Sequence, residues 1–256
     1  MRIILIGSGN VATVLGRKLL VAGHSIAQVY SRESIHAGRL AEELGAAAVS
    51  NPAQIISDGD IYILAIADDE LYKAKGWMEP SDNLVVHTAG SVSMEILKDI
   101  SDNYGVLYPL QSLRKEDVVN EIPFLIDGST GYNKEIIVEL AQSISENVRF
   151  ADDDARFKWH LAAVIANNFS NHLYALTEQY CQKEGVDFSV LYPLIREGAL
   201  RLERHSPFQI QTGPAIRGDD RTIQKHLDLL KRHPELFKMY ELFTHSIISS
   251  KKRILP

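Results

Sequence analysis

The chain has 256 residues, of which 45% are hydrophobic and 23% charged, a composition typical of globular proteins. Its formal net charge of −6 argues against a nucleic-acid partner, since nucleic-acid-binding domains usually present a basic patch. The single cysteine, Cys181, excludes an intramolecular disulfide. No apolar run approaches the length of a signal-peptide core or a membrane-spanning helix, so we expect a cytoplasmic protein without a membrane partner.

The first 150 residues alternate short apolar runs with helical patterns, which predicts βαβ units and a parallel sheet. The predicted strands are RIILIG, SIAQVYS, GDIYILAIA, DNLVVHTAG, YGVLYPL, IPFLIDG and VRFA. Helices are predicted over NVATVLGRKLLVAG, SIHAGRLAEELGA and KEIIVELAQSISEN. The first of these ends at Gly23, a residue type that favours helix termination.

Strand patterns are absent after about Ala151. Asp152, Asp153 and Asp154 favour a helix start, and one long helix is predicted over ARFKWHLAAVIANNFSNHLYALTEQYCQKEG. Further helices are predicted around SVLYPLIREGALRLERH, DDRTIQKHLDLLKRH and PELFKMYELFTHSIISS. The sequence therefore predicts an α/β fold: a Rossmann-type, doubly wound parallel sheet over residues 1–151, followed by an all-α domain over residues 152–256.

A glycine-rich turn, GSGNVA, follows the first strand and begins the first helix. This is the context in which G-x-G-x-x-G/A binds a dinucleotide. Gly7 permits the tight turn, Gly9 lets the backbone approach a pyrophosphate, and Ala12 allows close packing of helix on strand. The helix N-terminus favours the anion. The predicted cofactor contacts are Gly7, Ser8, Gly9, Asn10 and Val11; glycines that serve only the fold are the alternative.

The end of the second strand indicates which dinucleotide is bound. Ser31 and Arg32 offer a hydroxyl and a guanidinium, which suit a 2′-phosphate and therefore NADP (NADPH). Glu33 leaves NAD open, because a carboxylate here can bond the ribose 2′-hydroxyl instead. An ordinary solvated arginine is the other interpretation of Arg32.

Two later strands end in small residues, within LAIADD and HTAGS. Ligands of open α/β sheets bind outside the carboxyl ends of the strands, so both turns are expected to line the nicotinamide half of the site. The predicted cofactor contacts here are Ala65, Ile66, Ala67, Thr88 and Ala89. His87, at the start of the second turn, is predicted to contact substrate.

The segments GSGNVA, VYSR, IYILAIADD, VVHTAGS and YPLQS resemble the N-terminal half of Rossmann-like proteins that carry the DUF2520 C-terminal domain. WHLAAVIANNFSNHL, LYPLI, TGPAIRGD and HLDLL resemble their C-terminal half, so the resemblance covers nearly the whole chain. These proteins are similar to pyrroline-5-carboxylate reductase and F420-linked NADP oxidoreductases. The resemblance implies an NADP cofactor and a reaction class, without a settled substrate. Tyr108 departs from the pattern, since many relatives carry histidine there.

The long predicted helix carries His160, Asn167 and Asn171 at i, i+7 and i+11, on one face, with Asn168 at its border. A polar stripe on an otherwise apolar helix needs partners, and substrate is one candidate. By analogy with related β-hydroxyacid dehydrogenases, His160 would donate a proton, and Asn168 or Asn171 would hold the substrate oxygen. The alternative is that these side chains only brace neighbouring helices. Lys158 is a competing proton donor on another face.

Gln111 and Ser112, in YPLQS, are candidate hydrogen-bond partners of a polar substrate, as is Asn167. In TGPAIRGD, Arg217 is a candidate carboxylate clamp; a structural turn in which Asp219 caps the next helix is the equal alternative. The nine histidines show no metal-binding spacing, so no metal is expected.

These features predict an NADP-dependent oxidoreductase that transfers a hydride between nicotinamide and a small polar carbonyl or imine. Residues 1–151 would bind NADP, and residues 152–256 would bind substrate and form a homodimer, because one layer of helices seldom buries an apolar helix on every side. The alternative is a sensor or scaffold that binds NADP without turnover. Use of a deazaflavin rests on the resemblance alone.

Overall fold

The computed structural model describes residues 1–78, 82–119 and 121–254 of the protein. Contacts between Cα atoms divide the chain into two compact units, Met1–Asn167 and Asn168–Pro256.

The first unit is built on a sheet of eight strands. They are β1 (Arg2–Ile6), β2 (Ser25–Tyr30), β3 (Ala47–Val49), β4 (Ile61–Leu64), β5 (Leu84–His87), β6 (Tyr104–Pro109), β7 (Phe124–Gly128) and β8 (Val148–Phe150). Their order in the sheet is β3-β2-β1-β4-β5-β6-β7-β8. Every residue of β4 and β5 is buried, which explains why these central strands are continuous apolar runs.

Helices cover the sheet on both faces. They are α1 (Asn10–Val21), α2 (Ser34–Leu44), α3 (Asp68–Leu71), α4 (Gly131–Gln142) and α5 (Asp153–Ala163), with 3-10 turns at Pro52–Gln54, Ala74–Gly76 and Met94–Leu97. On one face Leu15 and Leu44 pack with Ile137 in a buried cluster. On the other, Leu71 and Leu97 belong to a second buried cluster. The predicted Rossmann-type α/β fold is confirmed.

Two features of the sheet differ from the sequence prediction. The short edge strand β3 was not predicted, because Ala-Ala-Val has neither the length nor the alternation of a strand. The sheet is also not wholly parallel, since β6 and β7 pair antiparallel, with Gly105 opposite Gly128 and Pro109 opposite Phe124. The connection between them returns directly to the adjacent position, whereas a parallel pair would need a crossover.

The remaining helices begin with a six-residue π-helical segment, Val164–Phe169, which continues α5. It leads into α6 (Ser170–Glu184), followed by a 3-10 turn at Phe188–Leu191 and by α7 (Tyr192–Arg201), α8 (Pro214–Arg217), α9 (Asp220–Leu230) and α10 (Pro234–Ile254). Beyond β8, the described residues contain no strand, as predicted. No helix in the described part of the chain is long and apolar enough to cross a membrane.

The division between the two units falls after Asn167, later in the sequence than the predicted boundary after residue 151. Asp152 caps α5 as predicted, since its carboxylate accepts a hydrogen bond from the Ala155 N–H at 2.8 Å. However, α5 packs with the first unit: the Met94 N–H donates to Asp153, and Arg156 donates to the Val92 carbonyl. The helix that begins after the predicted boundary therefore belongs to the sheet domain.

Candidate functional site

The glycine turn leaves open space in front of α1. Gly7 has φ +122°, and a Cβ there would lie 2.2 Å from the Ala65 carbonyl oxygen, so only glycine fits. Gly9 is extended and exposed, and a Cβ there would meet nothing within 4 Å. Ala12 is fully buried against the sheet. The turn is therefore closely packed at Gly7 and open at Gly9, so the N-terminus of α1 is accessible. A dinucleotide pyrophosphate requires this arrangement.

A cavity of about 210 Å³ lies between the ends of β2 and β4. Its lining includes the predicted contacts Gly7, Ser8, Gly9, Ser31, Arg32, Ala65, Ile66 and Ala67, together with Tyr30, Glu70 and Trp77. The Tyr30 and Trp77 rings stack with centroids 5.3 Å apart. The structure thus brings together most of the residues that the sequence predicted to contact the cofactor.

A second, more polar cavity of about 500 Å³ shares part of this lining. It is lined by Ser8, Gly9, Thr13, Arg17, Ser31, Arg32, Glu33, His36, Arg39, Leu40, Glu43 and Lys115. The Ser8 hydroxyl donates to the Ser31 hydroxyl at 2.9 Å. The sequence analysis missed Arg17, Arg39 and Lys115, because they belong to α1, α2 and the β6–β7 connection rather than to the motif. Asn10 joins that connection to α1 by accepting from the Lys115 N–H at 3.3 Å.

Arg32 and Glu33, the two residues that the sequence predicts as alternatives at the ribose 2′ position, have different partners. Arg32 forms an ion pair with Glu70, with Nη1 and Oε2 2.9 Å apart. Glu33 lies 3.3 Å from the His36 ring instead. Glu70 also accepts from Lys73 at 3.1 Å, and this hydrogen bond, with the nearby charge of Arg32, lowers the pKa of the Glu70 carboxyl.

At the carboxyl end of β5, His160 packs directly on a glycine. A Cβ on Gly90 would lie 2.7 Å from both His160 Nδ1 and Tyr108 Cζ, so the site admits only glycine without displacement of these rings. The Tyr108 hydroxyl is 3.0 Å from His160 Nδ1, and burial raises the pKa of Tyr108. The structure therefore places His160 beside the HTAGS turn. No pattern in the sequence indicates the contact between His160 and Tyr108.

His87 does not occupy the predicted position in contact with substrate. Its side chain is fully buried, and its Nδ1 accepts from the Ala89 N–H at 3.1 Å. Burial, together with the charge of Arg156, lowers the pKa of His87 to about 4. The sequence placed His87 correctly at a strand end, but at that position the side chain points into the protein interior. Thr88 and Ala89 of the same turn are also buried.

The largest fully buried side chain of the described structure belongs to Arg156, which is 1% exposed. Its Nη2 donates to the Val92 carbonyl and to Asp153, the latter at 2.7 Å. Partial burial opposes ionisation of Asp153, but hydrogen bonds from Ser93, Arg156 and the Met94 N–H lower its pKa. Nε and Nη1 of Arg156, and Nε2 of His87, have no hydrogen-bond partner among the described residues. Sequence analysis did not single out this arginine.

The other predicted substrate contacts are distributed between the two units. In the first unit, Asn167 donates to the Ser112 hydroxyl at 2.6 Å, while the side-chain oxygen Oε1 of Gln111 accepts from the Ser112 N–H. In the second unit, Asn168 and Asn171 are exposed. The π-helical turn between His160 and Asn171 breaks the regular α-helical spacing on which the predicted common face depends.

The TGPAIRGD segment forms the short helix α8 between two glycines with positive φ. Asp219 then caps α9 by accepting from the Thr222 N–H at 3.1 Å, as the structural interpretation predicted. Arg217 is exposed at the end of α8. Within the described ranges, no group of three or more His, Cys, Asp or Glu residues is placed to hold a metal.

Comparison with known proteins identifies the family. Residues 2–90 match the model of "NADP oxidoreductase coenzyme F420-dependent" proteins, and residues 122–247 match "Domain of unknown function (DUF2520)". The structure of BF3122 from Bacteroides fragilis, provisionally described as an NADP oxidoreductase, is 37% identical. It aligns over 97% of this chain and 98% of its own with a TM-score of 0.91. The chain belongs to this DUF2520 family of Rossmann-like proteins.

More distant structures share the fold alone. Pyrroline-5-carboxylate reductase from Streptococcus pyogenes is 15% identical, with a TM-score of 0.70 over 99% of this chain and 98% of its own. An imine reductase from Myxococcus stipitatus in complex with NADP+ is 14% identical, with a TM-score of 0.65 over 99% and 95%. No curated protein matches the sequence. The DUF2520 protein described here therefore has an NADP oxidoreductase-like fold.

The two glycines of the turn are expected to respond differently to alanine. Gly7→Ala introduces a Cβ against the Ala65 carbonyl at a backbone conformation that alanine avoids, and we expect it to lower the free energy of unfolding by about 2–4 kcal/mol. Gly9→Ala, in open space, should change it by less than about 1 kcal/mol. Urea unfolding followed by circular dichroism compares them; equal effects would contradict this geometry.

His87 is expected to make stability depend on pH. Because its folded-state pKa of about 4 is below the unfolded value of 6.5, the unfolded state binds more protons between these values. The free energy of unfolding should fall as pH decreases from 6.5 to 4, by up to about 3 kcal/mol. Denaturant titrations of wild type and His87→Asn measure this contribution, and an unchanged slope in the variant would rule it out.

Proposed function

We propose that the protein is an NADP(H)-dependent oxidoreductase whose substrate is a small polar carbonyl or imine compound. The observation that carries the proposal is the open approach to α1 at Gly9, adjoining a cavity lined by Arg17, Arg32, Arg39 and Lys115. A pyrophosphate needs the open approach to the helix N-terminus, and a 2′-phosphate needs the cationic cavity. Glu33, the residue that favours NAD in the sequence, lies beside His36, which supports NADP further.

The chain's own residues provide for a proton transfer. A bound nicotinamide dinucleotide would supply or accept the hydride. The raised pKa of Tyr108 keeps its hydroxyl protonated at neutral pH, and the hydroxyl oxygen can accept a hydrogen bond from His160 Nδ1. When both ring nitrogens of His160 carry a proton, Nε2, which has no hydrogen-bond partner among the described residues, can transfer its proton to a substrate oxygen or nitrogen and leave the neutral imidazole. We assign His160 as the proton donor and Tyr108 as its positioning residue.

We propose several residues, rather than one, as candidates to orient the substrate. Ser112 and Asn167 form a hydrogen-bonded pair in the same unit as His160, so both are candidates to contact a polar substrate. Asn168, Asn171 and Arg217 keep the roles predicted from the sequence, as candidates from the second unit. Substituting these residues one at a time separates their contribution to substrate binding from the contribution of His160 to proton transfer.

We also propose that the protein is a cytoplasmic homodimer whose interface lies within residues 152–256, the region that the sequence predicts for it. Large apolar side chains along α5 and its continuation are exposed, including Phe157, Trp159, Leu161 and Ile165, each with about half its surface accessible. Exposed apolar surface of this extent usually marks an interaction site. A second copy of the chain is the partner that the sequence predicts.

Cofactor preference is expected to depend on Arg32. In a fluorescence titration, wild type should bind NADPH more tightly than NADH, and Arg32→Ala should weaken NADPH binding about 10- to 100-fold, because one charge-assisted phosphate contact is lost. NADH binding should change little. Arg204→Ala, a substitution of an exposed arginine in the second unit, is the control. Absence of binding to either dinucleotide would refute the proposed function.

Turnover is expected to depend on His160. With a panel of cyclic imines and keto acids, wild type should consume NADPH, and His160→Asn should reduce kcat about 100- to 10,000-fold through loss of proton transfer. Tyr108→Phe should have a smaller effect, and His172→Asn, which alters an exposed histidine, should have none. Tight NADPH binding without turnover of any compound would instead support an NADP-binding sensor.

A further inference from the structure

The Arg32–Glu70 ion pair joins two different strand ends across the smaller cavity. Arg32 follows β2, and Glu70 belongs to α3, which follows β4. Both side chains line the 210 Å³ cavity, and Arg32 also lines the larger cationic one. The ion pair therefore lies where the two cavities adjoin.

The geometry of the pair leaves most of the guanidinium available. Nη1 of Arg32 lies 2.9 Å from one carboxylate oxygen of Glu70, and the other oxygen accepts from Lys73. Nε and Nη2 of Arg32 have no hydrogen-bond partner among the described residues. A guanidinium can thus keep Glu70 at one end and present its remaining N–H groups to an anion.

The two partners differ in exposure. The Arg32 side chain is 72% exposed, whereas that of Glu70 is 21% exposed and is fixed by Lys73 as well. An exposed arginine that binds a phosphate loses rotamer freedom in the process. A carboxylate that already holds the arginine at the cavity reduces this loss, and Lys73 offsets the repulsion between that carboxylate and a phosphate.

We propose that Glu70 is a specificity-determining residue: it holds Arg32 in position for the 2′-phosphate of NADP and so sets the preference for NADPH over NADH. This inference rests on the proposed function. Glu70 acts through Arg32 and is a positioning residue rather than a phosphate ligand.

The test compares NADPH and NADH dissociation constants for wild type, Glu70→Ala and Glu70→Gln. Glu70→Ala should weaken NADPH binding about threefold to tenfold, the range that one exposed ion pair and one ordered arginine allow. NADH binding should stay within about twofold. Glu70→Gln, which keeps a hydrogen-bond acceptor, should lie between wild type and Glu70→Ala.

Two further variants separate positioning from general effects. Asp69→Asn removes the same charge from the neighbouring position of α3, where no contact with Arg32 exists, and should leave both constants unchanged. In an Arg32→Ala background, Glu70→Ala should have no further effect on NADPH binding, because the two residues act as one unit.

Three outcomes would overturn the inference while the proposed function stands. Tighter NADPH binding by Glu70→Ala would mean that Glu70 competes with the phosphate for Arg32. Equal weakening of NADPH and NADH would mean that Glu70 only shapes the cavity. No change in either dissociation constant would mean that Arg32 binds the phosphate equally well without Glu70. If wild type binds neither dinucleotide, the proposed function fails together with this inference.

Discussion

The arrangement of the candidate site depends on the hydrogen bonds that Arg156 makes inside the first unit. A guanidinium that is 1% exposed loses its hydration, which is costly unless protein groups replace the water. At Nη2 the Val92 carbonyl and the Asp153 carboxylate replace that water, and these two hydrogen bonds join the start of α5 to the segment after β5. His160 lies one helical turn beyond Arg156, on the same side of the helix. The contact that fixes Arg156 therefore also fixes the ring that packs on Gly90.

Much of the sheet domain follows from local sequence patterns. The runs RIILIG and DNLVVHTAG are apolar because β1 and β5 are buried inside a covered sheet, and GSGNVA has glycines where the backbone needs them. For the same reason the sequence can place the predicted cofactor contacts side by side, since the residues at the ends of β1, β2 and β4 necessarily meet at one edge of the sheet. Gly7, Ser31 and Ala65 line one cavity, and their contact with a cofactor stays a prediction.

The remainder depends on contacts that no local pattern encodes. Whether β7 pairs parallel or antiparallel with β6 is decided by the path of a connection without a helical pattern. Arg17 and Lys115 reach the cationic cavity from distant parts of the chain, and Glu70 meets Arg32 only after folding. His87 shows the opposite case, in which a residue at a strand end was expected to face substrate but packs inward. Successive side chains of a strand point in opposite directions, so a shift of one residue in where the strand ends decides whether a side chain faces the site or the interior. The sequence alone does not specify that end.

The antiparallel pairing of β6 and β7 also determines how far α5 must travel. Since β8 runs parallel to β7, it ends at the edge of the sheet opposite the glycine turn, and the chain must return before any side chain can reach the candidate site. Helix α5 makes that return. His160 lies seven positions after Asp153, a rise of about 10 Å along the helix axis, which is roughly the length of three strand residues. Because β7 and β8 run opposite to the other strands, the second turn of α5, rather than its first residues, is the part of the helix that lies over Gly90.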